Sequence, residues 1–258
     1  VTGRIHPSAV VDPGARIAAG VEIGPFSVIG PGVSIGEGCR LGPHVVLEQQ
    51  VTVGRNVSIG AGSVLGSAPQ DVKYAEESSV VEVGDGTVIR EYTTINRGTA
   101  ASGATIVGRN CFLMTYVHIA HDCRVGDGVT IANATQLSGH VTIEDGANLS
   151  GLIAVHQFVT IGTHAFIGGA SRIPQDIPPY VKAVGNPVKL YGLNTIGLQR
   201  AGYSGQAINS LKRAYRLLFN STMPRAEALE VLEADAAATP EVRRLVDFLS
   251  GARRGIPA

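Results

Sequence analysis

"VEIGPFSVIGPGVSIGEGCRLGPHVVL", residues 21–47, repeats itself every six residues, with Ile23, Ile29, Ile35, Leu41 and Leu47 on one count. Carried backwards the count meets Ile17, Val11 and Ile5, and carried forwards it meets Val53, Ile59 and Leu65. It resumes in the same phase at Val83, Ile89 and Ile95, and again from Val107 to Ile173. Of the 29 positions on this ladder 26 are Ile, Leu or Val, and the exceptions are Asp71, Glu77 and Ala101. A pattern that dense marks a repeating architecture rather than one amphipathic element.

Six residues fit neither the helical period nor simple strand alternation, but they do fit short strands separated by turns, each strand turning one aliphatic inward. Gly, Asn or Asp stands near each corner, as in "IGPGVS" (29–34), "VGRNVS" (53–58) and "VGDGVT" (125–130), where the backbone must bend tightly. The ladder resembles that of the hexapeptide-repeat proteins. That resemblance implies a left-handed parallel β-helix with three hexads per triangular coil, so that residues three hexads apart stack at the strand spacing of ~4.8 Å. The left hand rests on the resemblance, since the general rule for parallel crossovers would give a right-handed path.

The interruptions delimit the rest. "GSAPQDVKYAEESSVVEV" (66–83) and "NRGTAASGAT" (96–105) read as loops leaving the prism, and loops on a rigid scaffold commonly carry binding groups. "PQDIPPYVKAVGNPVKLYG" (174–192) reads as a cap and linker. Beyond it Ile208, Leu211, Tyr215 and Leu218 have helical spacing, and Thr239–Pro240 starts a second apolar set at Val242, Leu245, Val246 and Leu249. The expected fold is therefore mainly β: a hexapeptide β-helix over 1–189, with loop insertions near 66–82 and 96–105. A helical region over 190–258 is expected to cover its open end.

Composition restricts function. Lys+Arg and Asp+Glu number 21 each, so no net charge favours bulk binding of nucleic acid. No apolar run approaches the ~20 residues of a membrane span and no secretory leader is evident, so a soluble cytoplasmic protein is expected. Cys39, Cys111 and Cys123 each follow a ladder residue by four, a slot otherwise filled by Ala, Val, Ser or Thr, and read as small packing residues.

"VHIAHDC" (117–123) carries the chemistry. With three hexads per coil Asp122 stacks on His140, and His121 lies two coils from Gln157 with His156 beside it. His6, His44 and His164 are expected to be exposed and uninvolved. The intersubunit zinc site of the gamma-class carbonic anhydrases needs two histidines five apart and a third two coils earlier; the spacings here do not supply it, so no metal is expected. A histidine backed by a carboxylate suits general-base catalysis of acyl transfer to a hydroxyl.

"QDVKY" (70–74), "HIAHDC" (118–123), "LSGHVTI" (137–143), "VHQFVTIG" (155–162), "IPPYVKAVGNP" (177–187) and "GLNTIGLQRAGYS" (192–204) together resemble the UDP-N-acetylglucosamine O-acyltransferases of lipid A synthesis. The resemblance implies transfer of a (R)-3-hydroxyacyl chain from acyl carrier protein to the sugar 3-hydroxyl, without a cofactor, in a cleft between subunits of a homotrimer. It implies His121 as base, Asp122 as its orienting partner and the Gly139 N–H as the oxyanion donor. Asp71 and Lys73 are implied at the sugar or acyl group, His156, Gln157, Asn194 and Arg200 around the UDP portion, and Gln70, His118 and His140 in substrate binding more generally. Gly169 matches a position that limits chain length in relatives, although a turn glycine would look the same. Asn96, Ile196 and Ala201 depart from the family pattern, which often has histidine, an acid and a second arginine there. A 3-amino sugar acceptor, or a non-catalytic scaffold, would also be compatible with the ladder.

Overall fold

The computed structural model describes residues 3–235 and 238–257; the ends of both predicted regions and residues 236–237 lie outside this set. Among the described residues twenty-eight strands, most of them two residues long, wind into three sheets of eleven, nine and eight strands, parallel except at the last pair of the largest. We call these sheets 1, 2 and 3. The chain passes through them in the order 1, 2, 3, so each coil has a 1–2, a 2–3 and a 3–1 corner.

Register explains why the ladder keeps its phase across the loops. Early coils pair three hexads apart, as in Arg4 with Glu22 and Ile23 with Leu41. Ser58 pairs with Val88, five hexads on, and Val88 pairs with Phe112, four hexads on. The two excursions therefore add two hexads and one, whole multiples of the repeat, and Asp71, Glu77 and Ala101 fall inside them. Both leave from the 2–3 corner: the first between strands Val64–Ser67 and Val80–Val83, the second between Thr94–Asn96 and Ala104–Val107.

Ladder residues from Ile23 to Ile173 fill the axis of the prism and are almost fully buried. Each buried Ile or Leu contributes roughly 1.5–3 kcal/mol. Ile5 is 46% exposed, because the first coil has a neighbouring coil on one side only. The slot two residues before each ladder residue is buried too, and it bonds as well as packs. The Cys39, Cys111 and Cys123 thiols donate to the carbonyls of Gly54, Gly126 and Ser138 at 3.0–3.1 Å, as the hydroxyls of Ser27 and Thr135 do to Gly42 and Ser150. Burial pushes the Cys123 thiol up to about 12, so it stays protonated and unreactive.

The corners are less glycine-dependent than their sequences suggest. Phe26, Tyr92, Tyr116, Asp122, His140, Leu152 and Phe158 all sit at φ between 55° and 65°. The left-handed conformation costs a residue with a Cβ about 1–2 kcal/mol, offset here by contact between successive coils. Phe26 stacks on His44, Tyr92 on Tyr116 and His140 on Phe158.

The chain leaves the prism later than expected. Val181–Gly185 and Val188–Leu193 form an antiparallel hairpin that extends sheet 1, so the predicted boundary at 189/190 falls inside a strand and the helices begin after Asn194. Four helices follow: α1 (Thr195–Arg200), α2 (Gly205–Phe219), α3 (Arg225–Ala234) and α4 (Pro240–Gly251). The predicted stripes of α2 and α4 are buried. The helical region also contacts the prism: Arg244 of α4 reaches Glu144 at 3.2 Å, and buried Asp176 accepts from the Thr160 N–H and, from the tail beyond α4, the Arg253 and Arg254 N–H groups. No helix among the described residues is long and apolar enough to cross a membrane.

Candidate active site

His121 and Asp122 occupy the 2–3 corner between strands His118–Ile119 and Arg124–Val125. The Asp122 side chain is wholly buried, and its Oδ2 lies 2.8 Å from His121 Nδ1. The carboxylate also accepts from the Thr99 N–H at 3.0 Å, the Thr99 hydroxyl at 2.8 Å and the Ser102 hydroxyl at 2.5 Å. Burial alone would raise its pKa; the bonds from Ser102, His121 and Thr99 outweigh it and hold Asp122 at about 2. Their stabilising contribution is present above the ordinary carboxylate value and is lost as pH falls towards about 2. An ionised Asp122 can only accept, so His121 Nδ1 carries a proton, and in the neutral ring Nε2 then presents a lone pair. A Cβ on Gly139 would lie 2.6 Å from that Nε2, which places residue 139 directly beneath the ring. Among the described residues the Gly139 N–H donates to nothing, which leaves it open to an incoming oxygen.

His140 completes the group, its Nε2 3.7 Å from Asp122 Oδ2 and its ring edge-on to His121. His121, Asp122 and His140 are close enough to be tested as a metal site. The donor set argues against one: a carboxylate has about four lone-pair sites, and four donors already occupy those of Asp122. Chemically, the arrangement can work as an acid–base pair.

The other sequence-predicted residues fall into five places. Gln70, Asp71 and Lys73 lie on the first excursion, which opens from the same corner, and Asp71 Oδ1 accepts from the Lys73 N–H. His118, on the outer face of sheet 2, bonds Thr94 through Nδ1 at 2.7 Å, and burial and then the His121 charge lower its pKa. His156 and Gln157 sit further along that corner without touching His121; His156 instead meets Arg254 at 3.1 Å. Asn194 and Arg200 are elsewhere, on a cleft of about 590 Å³ at the 3–1 corner. Asn194 caps α1 through the Gly197 N–H and donates to the His164 carbonyl, so both ends of its amide are engaged. Gly169 lies at the 1–2 corner.

Comparison with known proteins agrees with this geometry. Residues 176–257 match a family model described as UDP-N-acetylglucosamine O-acyltransferase domain 2, and residues 32–67 and 104–139 match the bacterial transferase hexapeptide model. The acyl-[acyl-carrier-protein]--UDP-N-acetylglucosamine O-acyltransferase of Thiobacillus denitrificans is 50% identical over 253 residues, with 98% of each chain covered. The enzyme of that name from Burkholderia lata is 48% identical over 258 residues, again with 98% of each covered. The solved structure of LpxA from Acinetobacter baumannii superposes with a TM-score of 0.95 at 40% identity, covering 98% of this chain and 99% of that one. LpxA from Bacteroides fragilis gives 0.96 at 39%, covering 99% and 100%. The chain belongs to the UDP-N-acetylglucosamine O-acyltransferase family. Its prism is accordingly the left-handed parallel β-helix of hexapeptide repeats.

Within this acyltransferase framework the departures have definite surroundings. Asn96 is buried, its Nδ2 donating to the Ala68 carbonyl at 3.0 Å while Oδ1 has no partner among the described residues. Ile196 and Ala201 both line the 3–1 cleft, which makes its wall less polar. His164, expected to be idle, lines that cleft with Arg200 and Lys182, and burial lowers its pKa. Neither the place of His164 in the cleft nor the contacts of Thr99 and Ser102 with Asp122 were legible in the repeat, because a hairpin and a one-hexad loop create them.

Proposed function

We propose that this chain transfers a (R)-3-hydroxyacyl group from acyl carrier protein to the 3-hydroxyl of UDP-N-acetylglucosamine, the opening step of lipid A biosynthesis, in the cytoplasm. The observation that carries the reading is the buried His121–Asp122 pair with Nε2 open beside the Gly139 N–H. His121 Nε2 takes the proton as the sugar oxygen attacks the thioester carbonyl, while Asp122 stabilises the imidazolium. The carbonyl oxygen turns towards the Gly139 N–H as it gains charge. Collapse breaks the C–S bond, and His121 returns the proton to the departing thiolate, leaving an ester and free carrier-protein thiol. The thioester is already activated, so the step needs no cofactor. Gln70, Asp71, Lys73, His118 and His140 are assigned to the sugar and acyl group, and His156, Gln157, Asn194 and Arg200 to the UDP portion. Incubation with UDP-N-acetylglucosamine, or a 3-amino analogue, and carrier proteins loaded with different 3-hydroxyacyl chains tests the reading. Failure to release thiol with every pair would refute it.

The same reading requires a homotrimer. The proposed base and the Asn194–Arg200 cleft lie at different corners of one prism, so a complete site takes each half from a different copy. The prism with its terminal hairpin and the helical region beyond Asn194 are then contributors to sites shared between neighbours. Mixing His121→Ala and Arg200→Ala chains by unfolding and reassembly is expected to restore activity, because some shared sites receive two intact halves. No recovery in verified mixed oligomers would contradict sharing.

For acyl length, support comes from Gly169. Its φ lies outside the left-handed region, which Ala170 occupies instead, so backbone angles do not demand glycine there. A Cβ would meet only the Gly151 carbonyl at 3.3 Å and the Ser150 Cβ at 3.8 Å. Taking Gly169 as the groove floor, the preferred chain has about twelve to fourteen carbons, each added methylene being worth ~0.8 kcal/mol. Gly169→Met should move the optimum towards about ten carbons, since its side chain fills roughly the space of the terminal methylenes. An unchanged kcat/KM optimum across the chain series, in an active variant, would place the limit elsewhere.

A further inference from the structure

The second excursion ends on the Asp122 carboxylate. Thr99 bonds it through both its backbone N–H and its hydroxyl, and Ser102 bonds Oδ1 through its hydroxyl. The loop is itself tied to the first excursion. Buried Arg97 donates to the Gly66 carbonyl and the Tyr74 hydroxyl, and Glu77 accepts from the N–H groups of Ala75 and Ala100. On the other side the Asp122 N–H donates to the Thr105 hydroxyl at 2.9 Å. An aspartate whose only task was to touch a histidine would not need this support.

We propose that Thr99 and Ser102 are positioning residues: their hydroxyls fix the Asp122 carboxylate and share its charge, so that His121 keeps its orientation and an unprotonated Nε2. The proposal rests on the reading of His121 as the base. The titratable groups around Asp122 are His121 and His140, with Glu77 approaching from the first excursion and the buried, protonated Cys123 thiol next in the chain; His121 in turn acts on His118. With the hydroxyls present, part of the negative charge is spent on neutral donors. Without them more of it falls on His121 and favours the imidazolium. The base would then be protonated over a wider range of pH. Arrangement and charge both follow from a one-hexad insertion that otherwise has no place in the repeat.

The test uses Thr99→Val, which keeps shape and the backbone N–H, together with Ser102→Ala, the double variant, and Thr99→Ser as the conservative control. Ser102 lies on the exposed rim of the loop, so its replacement leaves the fold intact even where Thr99→Val does not. The first readout is the His121 imidazole titration by NMR. Its midpoint is expected to rise by about half a unit to one unit in the double variant, a roughly three- to tenfold change in proton affinity, and to stay at the wild-type position in Thr99→Ser. The second is the acid limb of the kcat/KM profile, which should move up with it, so that activity recovers at high pH. An unmoved imidazole midpoint in a folded variant overturns the proposal, as does a loss of activity that is equal at every pH. A shifted midpoint with an unshifted acid limb supports the positioning role and instead overturns His121 as the base.

Discussion

His121→Ala is expected to lower kcat/KM by ~10³-fold while leaving the oligomer and its thermal unfolding close to wild type, since loss of a positioned general base commonly costs 10²–10⁴-fold. The imidazole makes one hydrogen bond to the protein, to Asp122, and that carboxylate keeps its donors from Thr99 and Ser102 when the ring is removed. The corner therefore loses a base without losing its structure. His140→Ala serves as comparator. Its ring stacks on Phe158 at 4.5 Å and stands 3.7 Å from Asp122, too far for a hydrogen bond, so it should cost much less. Retention of more than a tenth of wild-type activity in clean His121→Ala protein, with acyl carrier protein and sugar nucleotide saturating, would remove His121 from the role. Equal losses in the two variants would leave the assignment between them open to the pH profile.

What the sequence made legible divides along the repeat. A six-residue period fixes which residue of each strand turns inward, so the axis from Ile23 to Ile173 could be read directly, and in-phase resumption required excursions of whole hexads. The stacking of Asp122 on His140 followed from the same count, because no insertion lies between them. Thr99 and Asp122 are separated by 23 residues, with the one-hexad excursion between coils, and no periodic count brings them together. Asn194 and His164 meet only because the hairpin folds the chain back onto sheet 1, a tertiary event without local signal. The helical stripes were legible by spacing, whereas the anchoring of α4 and the tail through Glu144 and Asp176 depends on where the helices dock. Repeats report their own geometry well; the interruptions, where this site is assembled, must be seen folded.

The second large effect is expected at Gly139, a residue with no side chain to contribute. Its backbone is not in the left-handed region, so alanine is compatible with the turn, and its carbonyl can still accept from Phe158. The obstacle is the imidazole: a Cβ at this position lies 2.5 Å from His121 Cε1 and 2.6 Å from Nε2. The ring cannot swing away freely, because Nδ1 is held by Asp122 at 2.8 Å and the carboxylate is in turn fixed by three other donors from Thr99 and Ser102. Either the ring tilts and weakens that bond, or the corner opens by a comparable amount. A displacement of about 1 Å at the base costs on the order of 10²-fold in rate, so Gly139→Ala should lower kcat by about that factor with little change in the affinity for UDP-N-acetylglucosamine. A double-mutant cycle separates this cause from damage to the Gly139 N–H, which alanine retains. In a His121→Ala background the clash no longer exists, and Gly139→Ala should then cost at most a few-fold, a strong departure from additivity. Equal costs in both backgrounds would mean that Gly139 acts through its backbone alone and that the tight fit beneath the ring has no part in catalysis.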